Sequence, residues 1–461
     1  ARPLLEEALV LIEDQRAEAV GRESRMAYLA SKQDYYGLAI DSLAALHAEE
    51  PGAGFDRRAF EMSERRRVRA LLDALADALE GLGDPADSAQ LMPGAVQSLD
   101  PRSLLDPQTV LLEFALGEER SFLWWVSQAG VEMFPLAGRE VIEDFAQQAS
   151  RLLQQSGERR ARGQLELVLS QLSQLLLAPV ADRLAGQRLV VVTDGALQTI
   201  PFAALPSPAA DERQAELRTL LTDHEIVHLP SLSTLSLLRQ RTQIRPSPPK
   251  RLAVVADPVF DRDPPTGEPL KRLAFSRQEA ERILRLVPAE QTFAALGFDA
   301  TKDLVTHGAL ADYGFLHFAT HAFFDPTEPE TSGVLFTQVN RSGAVLDALL
   351  RPHEIYRLRL PVEMVVLSAC RSGLGREIRG EGLIGPAQGF LYAGASRVVA
   401  SSWAVEDEAT AELMEAFYRG ILIGGLRPAA ALRAAQLAMI TDDQKAAPYY
   451  WAGFVLQGDW R

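Results

Sequence analysis

An α/β sandwich with a mainly parallel sheet, preceded by an N-terminal helical region, is the architecture this 461-residue sequence predicts. Three observations carry it. Across roughly the first eighty residues, apolar side chains recur at three- and four-residue steps, the mark of amphipathic helices. From about residue 100 the texture changes to short continuous apolar runs closed by Asp, Gly or small polar residues, as in strands buried on both faces. Those runs alternate with helical patterns, and that alternation implies crossovers onto a parallel sheet.

Residues 1–95 contain "RMAYLASKQDYYGLAIDSLAALHAE" and "RRAFEMSERRRVRALLDALADALEGLG". In the second, Phe60, Val68, Leu71, Leu72, Leu75 and Leu79 mark one helical face and Gly81 is a C-cap candidate. A helical repeat of about 34 residues fits here once, without two clear copies. Residues 100–245 open with the strand-like runs "TVLLEFAL", "SFLWWVSQ" and "VEMFPL", continue with helical stretches around 138–156 and 163–178, and reach the buried-strand pattern "RLVVVTDG". "RTQIRPSPPKR" is proline-rich and basic and reads as a linker or exposed connection. Residues 250–461 form a second set: strands "RLAVVAD", "GFLHFAT", "EMVVLSA" and "ASRVVASS", the helix "SRQEAERILRLV", and the helix "EATAELMEAFYRGIL" with Leu413, Met414, Phe417, Tyr418 and Ile421 on one face.

Composition narrows the function classes. A net charge of −15 opposes attraction to phosphate backbones, although "SERRRVRA" is locally basic; direct nucleic-acid binding is not expected. No apolar run approaches the ~18 residues that cross a bilayer, so no membrane partner is expected. The single cysteine cannot close an intramolecular disulfide, which permits a reducing, cytoplasmic setting. Ala1 in place of an initiating methionine fits a fragment or processed form, with any targeting segment upstream of the sequence in hand.

Ligands of parallel sheets bind beyond the carboxyl ends of the strands. His321, Cys370 and the pair Glu406–Asp407 each stand there, one after each of three strand patterns. A cysteine needs a base or positive neighbour to act as thiolate, and His321 lies 370 − 321 = 49 residues upstream, room for one crossover. By local pattern alone, Cys370 reads more readily as a small buried hydrophobe than as a nucleophile. Ser368 and Ser372 flank it as turn residues; without a positioned base a serine is inert. His317, four residues before His321, would suit a metal pair on a helix, but its strand context favours a structural histidine, and no metal is expected.

"FLHFATHAFFDP", "VVLSACRSGLGREIRGEGLIGPAQGFLYAGASRVVASSWAVEDEATAELMEAFY" and the ending "PYYWAGFVLQGDW" closely resemble the CHAT family, peptidases of the caspase and separase group that often follow tetratricopeptide-like helices. The resemblance spans roughly residues 100 to 461. It implies a caspase-like sandwich at 250–461, an inactive caspase-like half at 100–245 and a tetratricopeptide-like region at 1–95. It also implies a His321–Cys370 dyad cleaving a protein substrate without a cofactor, His321 as general base and Cys370 as nucleophile. An oxyanion needs preorganised donors, and the backbone N–H groups of Cys370 and Ala322 are those the resemblance implies. The group usually has glycine where this chain has Ala322, which adds a methyl beside the substrate. In the separase pattern a carboxylate four residues after tryptophan receives a substrate arginine. From Trp403 that position is Asp407, with Glu406 and Asp325 as further pocket candidates; Asp407 and Glu406 are equally apt as helix caps, and Asp325 reads more readily as a turn residue before Pro326. "RSGLGREIRGEG" lacks the Gly-Lys-Ser/Thr ending of a phosphate loop, and Glu377 and Glu381 would repel anions; it reads as a substrate-framing or self-cleaved loop, with Arg376 and Arg379 as the cut sites. In the first half, Asp194-Gly195 occupies the place of a nucleophile, and that half has no cysteine. Regulation by a protein partner through the helical region is expected. The competing readings are a scaffold that cleaves nothing, with Ala322 as the sign of decay, and a cysteine hydrolase of non-peptide acyl groups.

Overall fold

The computed structural model describes residues 2–19, 22–67, 100–155, 159–208, 218–245, 248–260, 270, 272–323, 325, 332–369, 372–373, 375–379 and 382–461. Cys370, Glu381 and the second helical pattern beyond residue 67, including Gly81, lie outside the described residues. Four helices open the chain: α1 (Arg2–Glu18), α2 (Arg22–Ala30), α3 (Gln33–Glu49) and α4 (Phe55–Arg65). The first three close a small core of their own around Leu9, Ile12, Leu29, Tyr36 and Ala39. Phe60 of α4 instead joins the main core, so the helical region is seated on the sheet.

The strands and longer helices that follow are β1 (Thr109–Ala115), β2 (Ser121–Ser127), β3 (Gly130–Leu136), α5 (Arg139–Gln155), α6 (Arg159–Leu177), β4 (Arg188–Val192), β5 (Ile226–His228) and α7 (Leu232–Ile244). The second half comprises β6 (Lys250–Ala256), α8 (Ser276–Leu284), β7 (Thr292–Leu296), β8 (Tyr313–Ala319), β9 (His321–Phe323), β10 (Gly333–Leu335), β11 (Leu349–Leu350), β12 (Met364–Ser368), β13 (Arg376–Ile378), β14 (Gly382–Ile384), α9 (Pro386–Ala393), β15 (Arg397–Ser401), α10 (Asp407–Leu422), α11 (Pro428–Ile440) and β16 (Phe454–Gly458). Eleven described strands form one sheet in the order β3-β2-β1-β4-β5-β16-β15-β12-β8-β6-β7. Pairing is antiparallel at β1–β2, β2–β3 and β15–β16 and parallel elsewhere in that sheet. The fold is therefore the mixed α/β class with a large, mainly parallel sheet.

Both faces of the sheet are covered, which is why its strands read as continuous apolar runs. Along β6, Leu252, Val254 and Ala256 enter the core that holds α8 and α10, while Ala253 and Val255 enter the core that holds α9. Pro135 breaks no ladder because β3 is the outer strand of its end of the sheet. The C-terminal strand β16 joins the two halves, antiparallel to β15 on one side and parallel to β5 on the other.

In the stretch 241–251, helix α7 continues through Ile244, Thr242, Gln243, Pro249 and Lys250 are exposed as in an exposed connection, and residues 246 and 247 lie outside the described residues. The Arg245 guanidinium donates to the Val362 carbonyl at 3.0 Å, the Thr242 and Ser396 hydroxyls lie 3.1 Å apart, and burial lowers the Arg241 guanidinium to about 10. Its basic residues serve backbone carbonyls and hydroxyls of the second half, a use that composition alone does not disclose. Among the described residues no helix is long and apolar enough to cross a membrane.

Candidate active site

Strands β8 and β12 lie side by side in parallel register, with Ser368 opposite Ala319. They therefore end in step, and the residues that follow each leave the sheet at the same level. After β8, Thr320 turns the chain, its hydroxyl donating to the Leu335 carbonyl, and His321 opens β9 opposite Leu335 of β10. The His321 ring is half-buried, 5.0 Å from the ring of Phe260 and 6.3 Å from that of Phe323. Ala322 is buried opposite Val334.

After β12 the chain passes through Ala369 to Cys370, which is outside the described residues, and is fixed again just beyond. The Ser372 hydroxyl donates to the Leu367 carbonyl at 3.1 Å and accepts the Ser401 N–H at 3.1 Å. The Gly373 N–H donates to the Ser401 carbonyl at 2.7 Å, where a Cβ at Gly373 would stand 3.2 Å from that same oxygen. The serine and glycine after the cysteine therefore have structural work: they clamp this loop to the end of β15.

A small cavity lies beyond these strand ends. Thr320, Ser368, Ala369, Ser401 and Trp403 supply its sheet side, Leu273, Ser276 and Glu279 come from the start of α8, and Val405, Asp407 and Thr410 from the start of α10. Trp403 is buried, and its indole N–H donates to the Tyr449 carbonyl at 2.9 Å. Gly453 packs on the Trp403 ring so closely that a Cβ there would stand 3.0 Å from it, a tight contact for any larger residue.

The two acids after Trp403 divide their work. Glu406 caps α10, its carboxylate accepting the Ala409 N–H at 3.0 Å. Asp407 faces the cavity and accepts the Phe275 N–H at 2.9 Å, so it also caps α8 from across the space. Burial pushes the Asp407 carboxyl above its ordinary range; the Phe275 N–H opposes this, the charges of Glu279 and Glu406 add to it, and His321 pulls the other way. Asp325 sits in a loop closed on Ser332, whose hydroxyl accepts the Asp325 N–H at 2.9 Å, and neither it nor Glu406 is among the described residues lining the cavity. Arg376 starts β13, and Arg379 stands in the turn of the β13–β14 hairpin. The Arg379 guanidinium reaches Asp34 of α3 at 2.8 Å and Glu118 at 3.9 Å.

His317 is fully buried inside β8, its Nε2 2.9 Å from Oε1 of Glu279. It faces the core beneath the cavity, away from any pairing with His321 on a common metal. Among the described residues no three His, Cys, Asp or Glu side chains are grouped to hold a metal ion. Sequence reasoning missed Glu279. Its signal was present: Ser276, Glu279, Ala280 and Ile283 are the buried stripe of α8, and an acid on such a stripe is an anomaly.

Tetratricopeptide repeat protein 28 of Homo sapiens is 27% identical over 333 residues, 63% of this chain and 13% of its own length; the Mus musculus protein is 26% identical over the same length. The chain thus spans about 13% of the length of the curated relatives it matches. A chain in the crystal structure of the Saccharomyces cerevisiae separase–securin complex shares the fold with a TM-score of 0.60 at 10% identity, covering 96% of this chain and 37% of that one. The CHAT domain model matches residues 166–459, well over half of the sequence and inclusive of every strand end described above. The chain belongs to the CHAT domain family.

Proposed function

We propose that the chain is a cysteine endopeptidase that cleaves a protein substrate after a basic residue, preferentially arginine. The observation that carries this reading is the acidic cavity, lined by Thr320 and Ala369, the residues that immediately precede His321 and Cys370 in the chain. His321 takes the Cys370 thiol proton, the thiolate attacks the scissile carbonyl carbon, and the oxyanion is met by the N–H groups of Cys370 and Ala322. The tetrahedral intermediate collapses with expulsion of the amine, which receives the proton from His321. Water, deprotonated by His321, then releases the acyl group from sulfur. The substrate side chain before the cut enters the cavity and meets Asp407 beside Trp403, with Glu406 and Asp325 as outer acids.

Regulation belongs to the same proposal. The hairpin after Cys370 reaches the helical region through Arg379 and Asp34, so a partner docking on residues 1–95 has a direct handle on the loop that frames the site. Self-cleavage at Arg376 or Arg379 requires that hairpin to open, because Arg376 is laddered to Ile384. The three-part division at 1–95, 100–245 and 250–461 is retained as a division of labour across one continuous sheet, with the middle part as an inactive partner.

The test exploits the lone cysteine. A peptidyl-arginine acyloxymethyl ketone is expected to add once to the full chain, at Cys370, and to fail with His321→Ala and Cys370→Ala, both of which retain the wild-type melting temperature. Intact cleavage of an arginyl peptide by Cys370→Ala would remove the nucleophile assignment. Absence of labelling and cleavage in the wild type, with and without any binding partner, favours the scaffold reading.

A further inference from the structure

We infer that Glu279 is a second specificity carboxylate of the cavity, sharing with Asp407 the guanidinium of a bound side chain. The inference rests on the peptidase reading only for where that side chain comes from.

Glu279 is 1% exposed and yet lines the cavity. On its inner side it has only the imidazole of His317 at 2.9 Å, and Oε1 has no aligned hydrogen-bond donor among the described residues. Tyr418 lies edge-on to His317, with ring centroids 5.4 Å apart, and its hydroxyl likewise has no partner among the described residues. A fully buried carboxylate in this state is costly, since its lone pairs ordinarily demand donors. The cavity contains a second unsatisfied group: Ser368 is 6% exposed, lines the same space, and its hydroxyl has no partner among the described residues. On the cavity side the unpartnered group is the Ser368 hydroxyl, and Glu279, whose unpartnered Oε1 is the oxygen beside His317, lines the same space.

The charge balance points the same way. The N-termini of α8 and α10 converge on the cavity, and each helix end carries about half a positive charge. Together they offset roughly one of the three carboxylates at those ends, Glu279, Asp407 and the α10 cap Glu406, so the cavity keeps a net negative charge. A guanidinium reduces that charge and supplies five N–H donors in a planar fork, enough to serve Glu279, Asp407 and the Ser368 hydroxyl at once. A lysine ammonium, a single point with three donors, satisfies fewer of them.

The experiment is calorimetric titration of agmatine, an alkyl guanidinium that also carries an ammonium, into the Cys370→Ala chain, with N-carbamoylputrescine, which keeps the ammonium and replaces the guanidinium by a urea, as the control. Agmatine is expected to bind and the urea not to bind. Glu279→Gln should weaken agmatine about 10- to 100-fold, the worth of a charge-assisted hydrogen bond. Glu279→Asp, which keeps the charge but withdraws it by one methylene, should also weaken it and serves if the glutamine variant does not fold. Unchanged affinity in either variant, or no agmatine binding at all, overturns the inference. These results do not depend on catalysis. Agmatine binding without labelling of Cys370 in the wild type retains Glu279 and removes the nucleophile; labelling without agmatine binding removes Glu279 and retains the nucleophile.

Discussion

Asp407→Asn should stabilise the protein and impair its selectivity together. The asparagine keeps an oxygen for the Phe275 N–H, so the cap of α8 at 2.9 Å survives, while the charge facing the cavity is gone. Because the Asp407 carboxyl is displaced upward by burial and by Glu279 and Glu406, its ionisation costs the folded state. Its favourable share is full below the ordinary aspartate value of about 3.9 and is lost as pH rises through the folded value. The variant should therefore melt higher than wild type at neutral pH, with the difference closing as pH falls. Selectivity moves the other way. Removing one partner of a buried, hydrogen-bonded charge pair costs about 2–5 kcal/mol. Asp407 is only half-buried and one of its oxygens is already engaged, so the low end applies: about 2–3 kcal/mol, or roughly 30- to 150-fold. The assay is kcat/KM for matched peptides bearing arginine or citrulline before the cut, on wild type and variant. An unchanged arginine-to-citrulline ratio refutes the role of Asp407, and a lower melting temperature at neutral pH refutes the electrostatic argument.

Three other perturbations have expected outcomes. Asp34→Ala releases Arg379 from the helical region; because the pair is exposed, stability should fall by less than about 1 kcal/mol, while cleavage of a reporter peptide rises in the absence of any partner. Equal rates would separate the hairpin from regulation. Asp257→Asn removes the carboxylate that receives Arg272 at 2.6 and 2.7 Å and Arg277 at 2.7 Å, and since both arginines are largely exposed the loss should be about 1–2 kcal/mol. Asparagine tolerates the φ of +55° at this position. Despite burial, the two arginines hold the Asp257 carboxyl below its ordinary value, so the difference should persist above pH ~3.9 and vanish as pH falls through the folded value. Glu113 is the opposite case: burial, with the charge of Glu64, raises its carboxyl well above the ordinary value, so stability should decline as pH rises toward the folded value, and Glu113→Gln should flatten that decline in a pH series of melting curves.

The parts of the fold legible in the sequence are those whose periodicity comes from burial. The runs at β1, β2, β4, β6, β8, β12 and β15 are continuous because both sheet faces are covered, and the α10 stripe Leu413, Met414, Phe417, Tyr418 and Ile421 is buried as its spacing predicts. Short strands escaped notice: β5 has three residues and β11 two, too few for any period to show. The single sheet escaped as well, since β16 pairs with a strand more than two hundred residues away. Within the site, Glu406 and Asp407 drew attention because they stand beyond a strand end at a helix start, whereas buried Trp403 was singled out only through the resemblance to the separase pattern. Glu279 was missed because it lies in the middle of a helix pattern, and the cavity that gives it meaning is made by residues from five separate segments.

In the first half the carboxyl ends of β1 and β4 are the equivalent crevice, and there the helical region fills the space. Arg66 pairs with Asp194 at 2.7 Å, and Arg67 reaches Glu113 at 3.3 Å and the carbonyls of Phe114 and Thr193. Glu64 accepts the N–H groups of Leu232 at 2.9 Å and Ser233 at 2.8 Å. Although burial alone would raise it, the Asp194 carboxyl is held well below its ordinary range by Arg66, Arg67 and Arg139. Asp194 is thus a fixed structural anion, committed to the arginines that dock α4. The "SERRRVRA" stretch, whose basicity first raised the question of a phosphate partner, spends Arg66 and Arg67 inside the protein. The crevice of the first half is a socket for the helical region and that of the second half is open, so a force on the helical region is delivered directly to the sheet that carries both.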